Sequence, residues 1–407
     1  MHILYIHQYF KTPEEGGAIR SYYLAKGLVD AGHTVTMLTT HSGLKYKKMF
    51  VDGIHVHYLP VPYRQSMGSL SRIKAFLTFV WMVCRKASLF KSADLCYVTS
   101  TPLTTGLIGL YLRRQFKMPF YFEVRDLWPE APVQMQIVKN KIVKSLLYRF
   151  EKHVYQRANA LVALSPGIEQ YIRRIVPHQT VHLIPNMADC RFFSKSERNA
   201  YHEKQFDVEG KFVITYFGSL GRVNHLEYFV NAAHACQQKQ VQDAQFLIVG
   251  EGSELDRIKA YAQQLNLGNI QFVPHQNKYG LLSVLNVTDA AYISFADYPV
   301  LETNSPNKYF DALATGKLCI TNTRGWIADM IEEHHCGFYT SPHRPENFVT
   351  PLIPFVNDRT LLSHCQTNAR ALGEQQFERE KQVEVLLDSF GIRRPAPQEA
   401  TAYTLPV

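Results

Sequence analysis

FVITYFGSLGRVNHLEYFVNAA, residues 212–233, runs from a β-branched, aromatic-rich strand through a glycine turn into a helical pattern. Gly218 and Gly221 flank the turn, with Ser219, Arg222 and Asn224 near the helix start. The stretch decides the fold because it restarts a rhythm that has already run once. Upstream, the apolar runs HILYIH, TVTMLTT, IHVHYLP, LCYVTS, PFYFEV, ALVALS and VHLIPN alternate with helical stretches such as AIRSYYLAKGLVDAG and IVKSLLYRFEKHVYQRA. Downstream follow QFLIVGEG, IQFVPH, AAYIS, LCIT and GFYTS. Strands alternating with helices predict α/β domains with parallel sheets.

Two such series predict two tandem, doubly wound, Rossmann-like domains facing a cleft, and 407 residues exceed one ordinary core. The expected division is 1–195 for the first domain, 196–210 for a polar linker and 211–377 for the second. Residues 378–407 are expected to form a helix and a proline-rich tail, with the helix returning to the first domain. In doubly wound sheets ligands lie at strand C-termini, so chemistry is expected in the loops there.

Composition narrows the partners. The chain is 46% hydrophobic and 19% charged, enough for sizeable cores. Residues 1–195 hold 26 Lys and Arg against 11 Asp and Glu, a net of +15; the remainder holds 18 against 24, a net of −6. A basic first half suits an anionic partner or is a solvated surface. No zinc, helix-turn-helix or RNP signature supports nucleic acid. Seven scattered cysteines without a C-x-x-C pair favour a reducing compartment over disulfides or zinc. MHILYIHQYF reads as a first strand rather than a signal peptide, and the longest apolar run, AFLTFVWMVC at 75–84, is too short to span a bilayer. The surrounding stretch 72–91, with Arg72, Lys74, Arg85, Lys86 and Lys91, fits either a membrane-surface helix or one packed on the sheet with a basic rim.

Six loops carry candidate chemistry. After the first strand, Gly16-Gly17 permits close backbone approach, and Arg20 one turn into the helix could contact an anion; the pair is equally plain turn chemistry. The turn at Gly218 could seat a diphosphate on helix-start N–H groups beside Arg222. Gly250 follows a strand, and Pro274-His275 ends the next, where a base could lie; His275 also fits an exposed loop. In EVRDLWPEAPVQM, residues 123–135, Glu123, Arg125, Asp126 and Glu130 crowd a strand end that faces the cleft, as acid/base groups or as a salt-bridged loop anchored by Trp128. Finally, LETNSPNKYFDALATGK, residues 301–317, places Pro306 just inside a predicted helix start with Ser305 and Asn307 beside it, and Lys308 as the turn's basic residue.

Taken with LVDAGHTVTMLT (28–39), LSPGI (164–168), IPN (184–186), FGSLG (217–221), VGEGSE (249–254) and SPNKYFDALATGKLCI (305–320), the chain resembles family 4 glycosyltransferases of the GT-B fold over nearly its whole length. The RDLWPE loop and SPNK turn resemble the bacterial surface-polysaccharide branch, which includes N-acetylfucosaminyl and colanic-acid transferases. The resemblance implies an acceptor on the first domain and a nucleotide sugar, UDP-linked, on the second. It implies no cofactor and no bound metal, and transfer with retention, the leaving phosphate taking the acceptor proton. The implied acceptor is a polyprenyl-diphosphate-linked glycan in O-antigen or capsule synthesis, with the protein cytoplasmic at the inner, anionic face of the cell membrane.

Two positions depart from the family. Where relatives carry Glu-x7-Glu, this chain has Asp311 second, for the ribose, and Thr303 first, with Glu302 one residue out of register. The usual basic pair of the second glycine loop is replaced by Ser219 and Asn224, leaving Arg222 or Lys308 as substitutes. The loop where relatives carry His reads Arg125-Asp126, assigned with Glu130 to the donor sugar or acceptor. A nucleotide-sugar epimerase and a non-catalytic binding subunit are the competing functions.

Overall fold

In a computed structural model, residues 1–15, 19–63 and 67–392 are described. The Gly16-Gly17 expectation and the proline-rich tail lie outside them. The first sheet contains β1 (His2–Ile6), β2 (Thr34–His41), β3 (Lys47–Val51), β4 (Ile54–Pro60), β5 (Leu95–Thr99), β6 (Phe120–Val124), β7 (Ala160–Ala163) and β8 (Val181–Leu183), in the order β3-β4-β2-β1-β5-β6-β7-β8. The second contains β9 (Phe212–Phe217), β10 (Ala244–Val249), β11 (Ile270–Val273), β12 (Ala290–Ile293), β13 (Leu318–Thr321) and β14 (Gly337–Tyr339), ordered β11-β10-β9-β12-β13-β14. Every pairing is parallel except β3 with β4. Strand order reverses at β1/β5 and at β9/β12, the switch points where doubly wound folds bind ligands. The predicted α/β, twin-sheet architecture is the observed one.

The antiparallel β3 was not predicted. Its KKMFV sequence is almost entirely exposed, so no buried alternation marks it. The signal for it is Asp52-Gly53, whose positive φ values of 48° and 90° close a two-residue hairpin onto β4.

Burial on both faces explains the near-continuous apolar strands. In β1, Leu4 and Ile6 point into one core while Ile3 and Tyr5 point into another. The first core is covered by α2 (Ser69–Lys86), α3 (Gly106–Phe116), α5 (Lys141–Arg157) and α6 (Pro166–Ile175), with the short α4 (Glu130–Gln134) in the loop after β6. α1 (Arg20–Asp30) covers the other face. After α7 (Ala200–Gln205), the second sheet carries α8 (Glu227–Gln238), α9 (Leu255–Gln264), α10 (Lys278–Val287), α11 (Asn307–Ala314), α12 (Trp326–Glu333), α13 (Val349–Asn357) and α14 (Arg359–Leu372). The last helix, α15 (Arg379–Ser389), packs beside α1, burying Val383, Leu386 and Leu387 with Leu24 and Leu28. Between β8 and the expected 196–210 linker, Asp189, Cys190 and Phe193 are buried. All seven cysteines are free thiols.

A buried carboxyl sits in the first core. Glu151 of α5 accepts Tyr155 Oη at 3.0 Å and Tyr171 Oη at 3.1 Å. Burial nevertheless pushes its pKa up to about 8. The folded state therefore binds its proton more tightly than the unfolded chain does. Stability is full below the unfolded pKa and falls as pH rises through the folded value. Glu151→Gln keeps an acceptor for the phenols without a titrating group. Denaturation midpoints are expected to match wild type near pH 5 and to favour the variant by about 2 kcal/mol near pH 8. A wild-type pH profile unchanged by the substitution would refute this.

Candidate functional site

Lys308 stands in the first turn of α11, beside the Gly218 turn that follows β9. α11 begins at Asn307, with Pro306 as the preceding cap residue rather than inside the helix as predicted. Its extended backbone (φ −77°, ψ 137°) belongs to the loop, which proline tolerates because it has no N–H to place. From the first turn the Lys308 ammonium lies over the Tyr216 ring, 3.9 Å from its centroid, and donates to Asn224 Oδ1 at 3.3 Å. No carboxylate lies within ion-pair distance of it among the described residues. Burial alone brings its pKa down to about 7. The half-buried lysine has aromatic and amide neighbours and no counter-ion among the described residues, an arrangement that suits pairing with an anion.

The glycine loops form the wall beside it. Gly218 adopts φ 133°, and a side chain on it would reach the Lys308 stem. Ser219 is exposed, and its carbonyl accepts Tyr216 Oη at 2.6 Å and Asn224 Nδ2 at 2.9 Å. Asn224 thus bonds loop and lysine together. Gly250 (φ 146°) lets the next loop press against this one, since a Cβ there would fall 2.0 Å from the Gly218 oxygen. Its role is packing of loop on loop. Arg222 is 87% exposed and pairs with Glu254 at 3.5 Å, so of the two substitutes for the missing basic pair Lys308 is the half-buried one. Pro274 and His275 are exposed beyond β11, with Gln276 donating to the Pro274 carbonyl at 3.1 Å.

Across the cleft, the 300–307 loop is strapped to the first domain. Ser165 Oγ donates to the Thr303 carbonyl at 2.5 Å, and Asn186 reaches Ser305 through its side chain (2.5 Å) and its backbone N–H (3.2 Å). The Val300 N–H donates to Gln134 Oε1 at 2.9 Å. The LSPGI and IPN stretches therefore act as clamps on the SPN turn, a tertiary relation that no local pattern announces. Glu302 is exposed, and Gly325 lies against its carbonyl. Asp311, one turn beyond Lys308 on the same helix, is half-buried. Burial raises its pKa to about 7, opposed by the Lys278 cation and reinforced by Asp189.

Lys278 and Asp189 are site-adjacent residues that sequence reading missed. Lys278 opens α10 and pairs with Asp189 at 2.5 Å; Tyr23 Oη of α1 donates to Asp189 at 2.9 Å, and Arg379 lies at 3.4 Å. These cations hold the Asp189 carboxyl below its usual range despite burial. The cluster joins both domains and α15 directly behind Asp311.

On the first domain the expectation for Arg20 is corrected. Its guanidinium is fully enclosed, donating to Glu123 Oε1 at 2.9 Å, to the Ile184 carbonyl at 2.8 Å and to the Pro185 carbonyl. Glu123 also accepts Tyr97 Oη at 2.9 Å. Every arm of Arg20 is spent inside the protein, which leaves none for a ligand. The remaining groups of the loop separate. Asp126 is exposed and accepts Thr101 Oγ1 at 3.2 Å. Half-buried Arg125 lies 3.3 Å from His7 Nε2, and burial plus that cation keep the His7 ring neutral. Glu130 is held by Gln134 (2.8 Å) and Tyr148 (2.5 Å) against α5. Leu127 is buried and Trp128 partly so, anchoring the loop. Among the described residues no group of three or more His, Cys, Asp or Glu could hold a metal ion.

Comparison with known proteins agrees with this geometry. Residues 15–187 match the family described as glycosyl transferase 4-like domain, and residues 197–372 match glycosyl transferases group 1. The probable glycosyltransferase WbjE of Pseudomonas aeruginosa is 22% identical over 69% of each chain. The putative colanic acid biosynthesis glycosyl transferase WcaI of Escherichia coli is 24% identical over 58% of each chain. HepE of Anabaena, in complex with UDP and glucose, superposes with a TM-score of 0.70 at 18% identity, covering 96% of this chain and 99% of that one. Twin parallel sheets, the cleft between them and two consecutive family matches lead to one conclusion: the chain belongs to the family 4 glycosyltransferases of the GT-B fold.

Proposed function

We propose that this glycosyltransferase moves a hexose derivative from a UDP-sugar to a polyprenyl-diphosphate-linked glycan, with retention of configuration, in surface-polysaccharide synthesis. The observation that carries the donor half is the half-buried Lys308 beside the Gly218 turn, which has no carboxylate partner among the described residues. UDP-bound HepE and the colanic-acid name of WcaI support the donor and the pathway class. In this reading the Lys308 ammonium and the α11 N–H groups neutralise the leaving diphosphate, without a metal ion. Asp311, as a carboxylate, accepts a ribose hydroxyl. Asp126, exposed at the strand end of the first domain, meets the donor sugar or acceptor, with Arg125 beside it. The leaving phosphate oxygen takes the acceptor's proton.

A thermal-shift screen against UDP-, GDP-, dTDP- and CMP-sugars tests the donor. Only native-state ligands raise the midpoint, by mass action. UDP-sugars are expected to do so and the others to leave it unchanged. Stabilisation by GDP- or dTDP-sugars alone would overturn the UDP assignment, and isomerised sugar after incubation with donor alone would favour an epimerase.

A further inference from the structure

The first strand ends on polar groups that the fold buries and leaves unpaired. His7 and Gln8 directly follow β1, at the β1/β5 switch point of the first sheet. Gln8 has no solvent contact, and His7 is 3% exposed. Among the described residues neither Oε1 nor Nε2 of Gln8 has a hydrogen-bond partner, and neither does His7 Nδ1. The His7 ring is oriented all the same. Arg125 can only donate, so His7 Nε2 accepts from it and Nδ1 carries the proton. An imidazole N–H and both ends of an amide are thus unmet at a strand end of the kind where doubly wound sheets bind ligands.

Loose packing is not the cause. The Gln8 carbonyl accepts the Thr39 hydroxyl at 3.1 Å, the Thr40 hydroxyl at 2.8 Å and the Thr40 N–H at 3.3 Å. The His7 N–H donates to the Leu38 carbonyl at 3.1 Å. Phe10, whose N–H reaches Thr39 Oγ1 at 3.2 Å, is buried in the core. The backbone is pinned on both sides of an amide that is itself unbonded. Unpaired buried polar groups oppose folding, so native chains keep few, and those kept ask for a partner from outside the fold. His7 is bonded to Arg125, whose neighbour Asp126 is the residue that the proposed function sets against the donor sugar or acceptor.

From this juxtaposition we infer that Gln8 and His7 are the contact for hydroxyl groups of the acceptor's terminal sugar. A sugar hydroxyl both donates and accepts. It therefore suits the Gln8 amide, whose N–H groups donate and whose Oε1 accepts, and its oxygen takes the His7 Nδ1–H. Sealed from water, these groups meet a hydroxyl only when the side chains over the strand end part, and their unmet bonds ease that parting. The donor nucleotide is assigned to the second domain, so the substrate met here is the acceptor. The inference rests on the proposed glycan acceptor for its ligand, though not for its geometry.

Gln8→Met, close in length and without the amide, tests it on the full chain. The thermal midpoint is expected to rise by about 2 °C or more, because an unmet buried amide is removed. Transfer from the UDP-sugar that stabilises the protein, into a lipid extract of the source cells, should fall about ten-fold or more. His7→Gln keeps an acceptor for Arg125 without the Nδ1 donor, and should lower transfer while holding the midpoint. UDP-induced stabilisation should persist in both variants. Because it reads the donor site alone, failure of this contact and failure of the donor assignment are distinguishable. A lowered midpoint in Gln8→Met overturns the inference, since it would give the amide a structural role. Unchanged transfer in either variant also overturns it. Absence of transfer by the wild type would refute the proposed acceptor, and this contact with it.

Discussion

Arg20→Ala is expected to cost about 3–5 kcal/mol of folding free energy and to leave the UDP affinity of the folded protein unchanged. Arg20 and Glu123 are both essentially without solvent contact, and among the described residues Arg20 is the only cation whose donors reach the carboxylate. Removing it strands a buried charge together with the Ile184 and Pro185 carbonyls, which join the Glu123 strand end to the start of the interdomain segment. In the native protein the Arg20 and Arg125 cations outweigh burial and hold the Glu123 carboxyl below its ordinary range. Without Arg20 burial prevails, the folded pKa rises, and stability falls as pH increases, the reverse of the native contribution. Urea denaturation at pH 5 and pH 8 measures both effects. A loss under about 1 kcal/mol accompanied by weakened UDP binding would restore Arg20 as a ligand contact.

The second large effect is at Lys308. Lys308→Met keeps the stem over Tyr216 and removes the charge, and should lower kcat/KM by about 100-fold or more. The discriminating comparison is between UDP and uridine. The substitution should weaken UDP while sparing uridine, whereas Asp311→Asn should weaken both. The free lysine's pKa near 7 adds a pH signature. Above it the wild-type lysine must gain a proton to meet the diphosphate, a step the methionine variant lacks. Equal loss of UDP and uridine in Lys308→Met would show that the lysine supports the loop rather than the anion.

Much of the fold was legible because parallel strands buried on both faces spell themselves as apolar runs, and several, such as β9, β10 and β11, run straight into a glycine or proline where the chain turns. β3 was not, since an exposed lysine-rich strand carries no burial signal; only its Asp52-Gly53 turn betrays it. At the site, Lys308 stood out as the turn's sole basic residue, but its half-buried setting depends on Tyr216 and Asn224, which the second sheet brings from far up the chain. Arg20 was misread for the same reason. A cation just after a glycine pair resembles a ligand contact until its partners, Glu123 and the 184–185 carbonyls, arrive from other strands. The Asn186–Ser305 and Asp189–Lys278 links are likewise products of domain apposition, and local sequence spacing has no access to them.

The central claim is that the donor diphosphate sits on Lys308 at the start of α11, and a crystal structure of the UDP complex tests it most directly. A phosphate oxygen is expected within hydrogen-bond distance of Lys308 Nζ, and a ribose hydroxyl on Asp311. A diphosphate bound through Arg222, with Lys308 still resting on Asn224 alone, would contradict it.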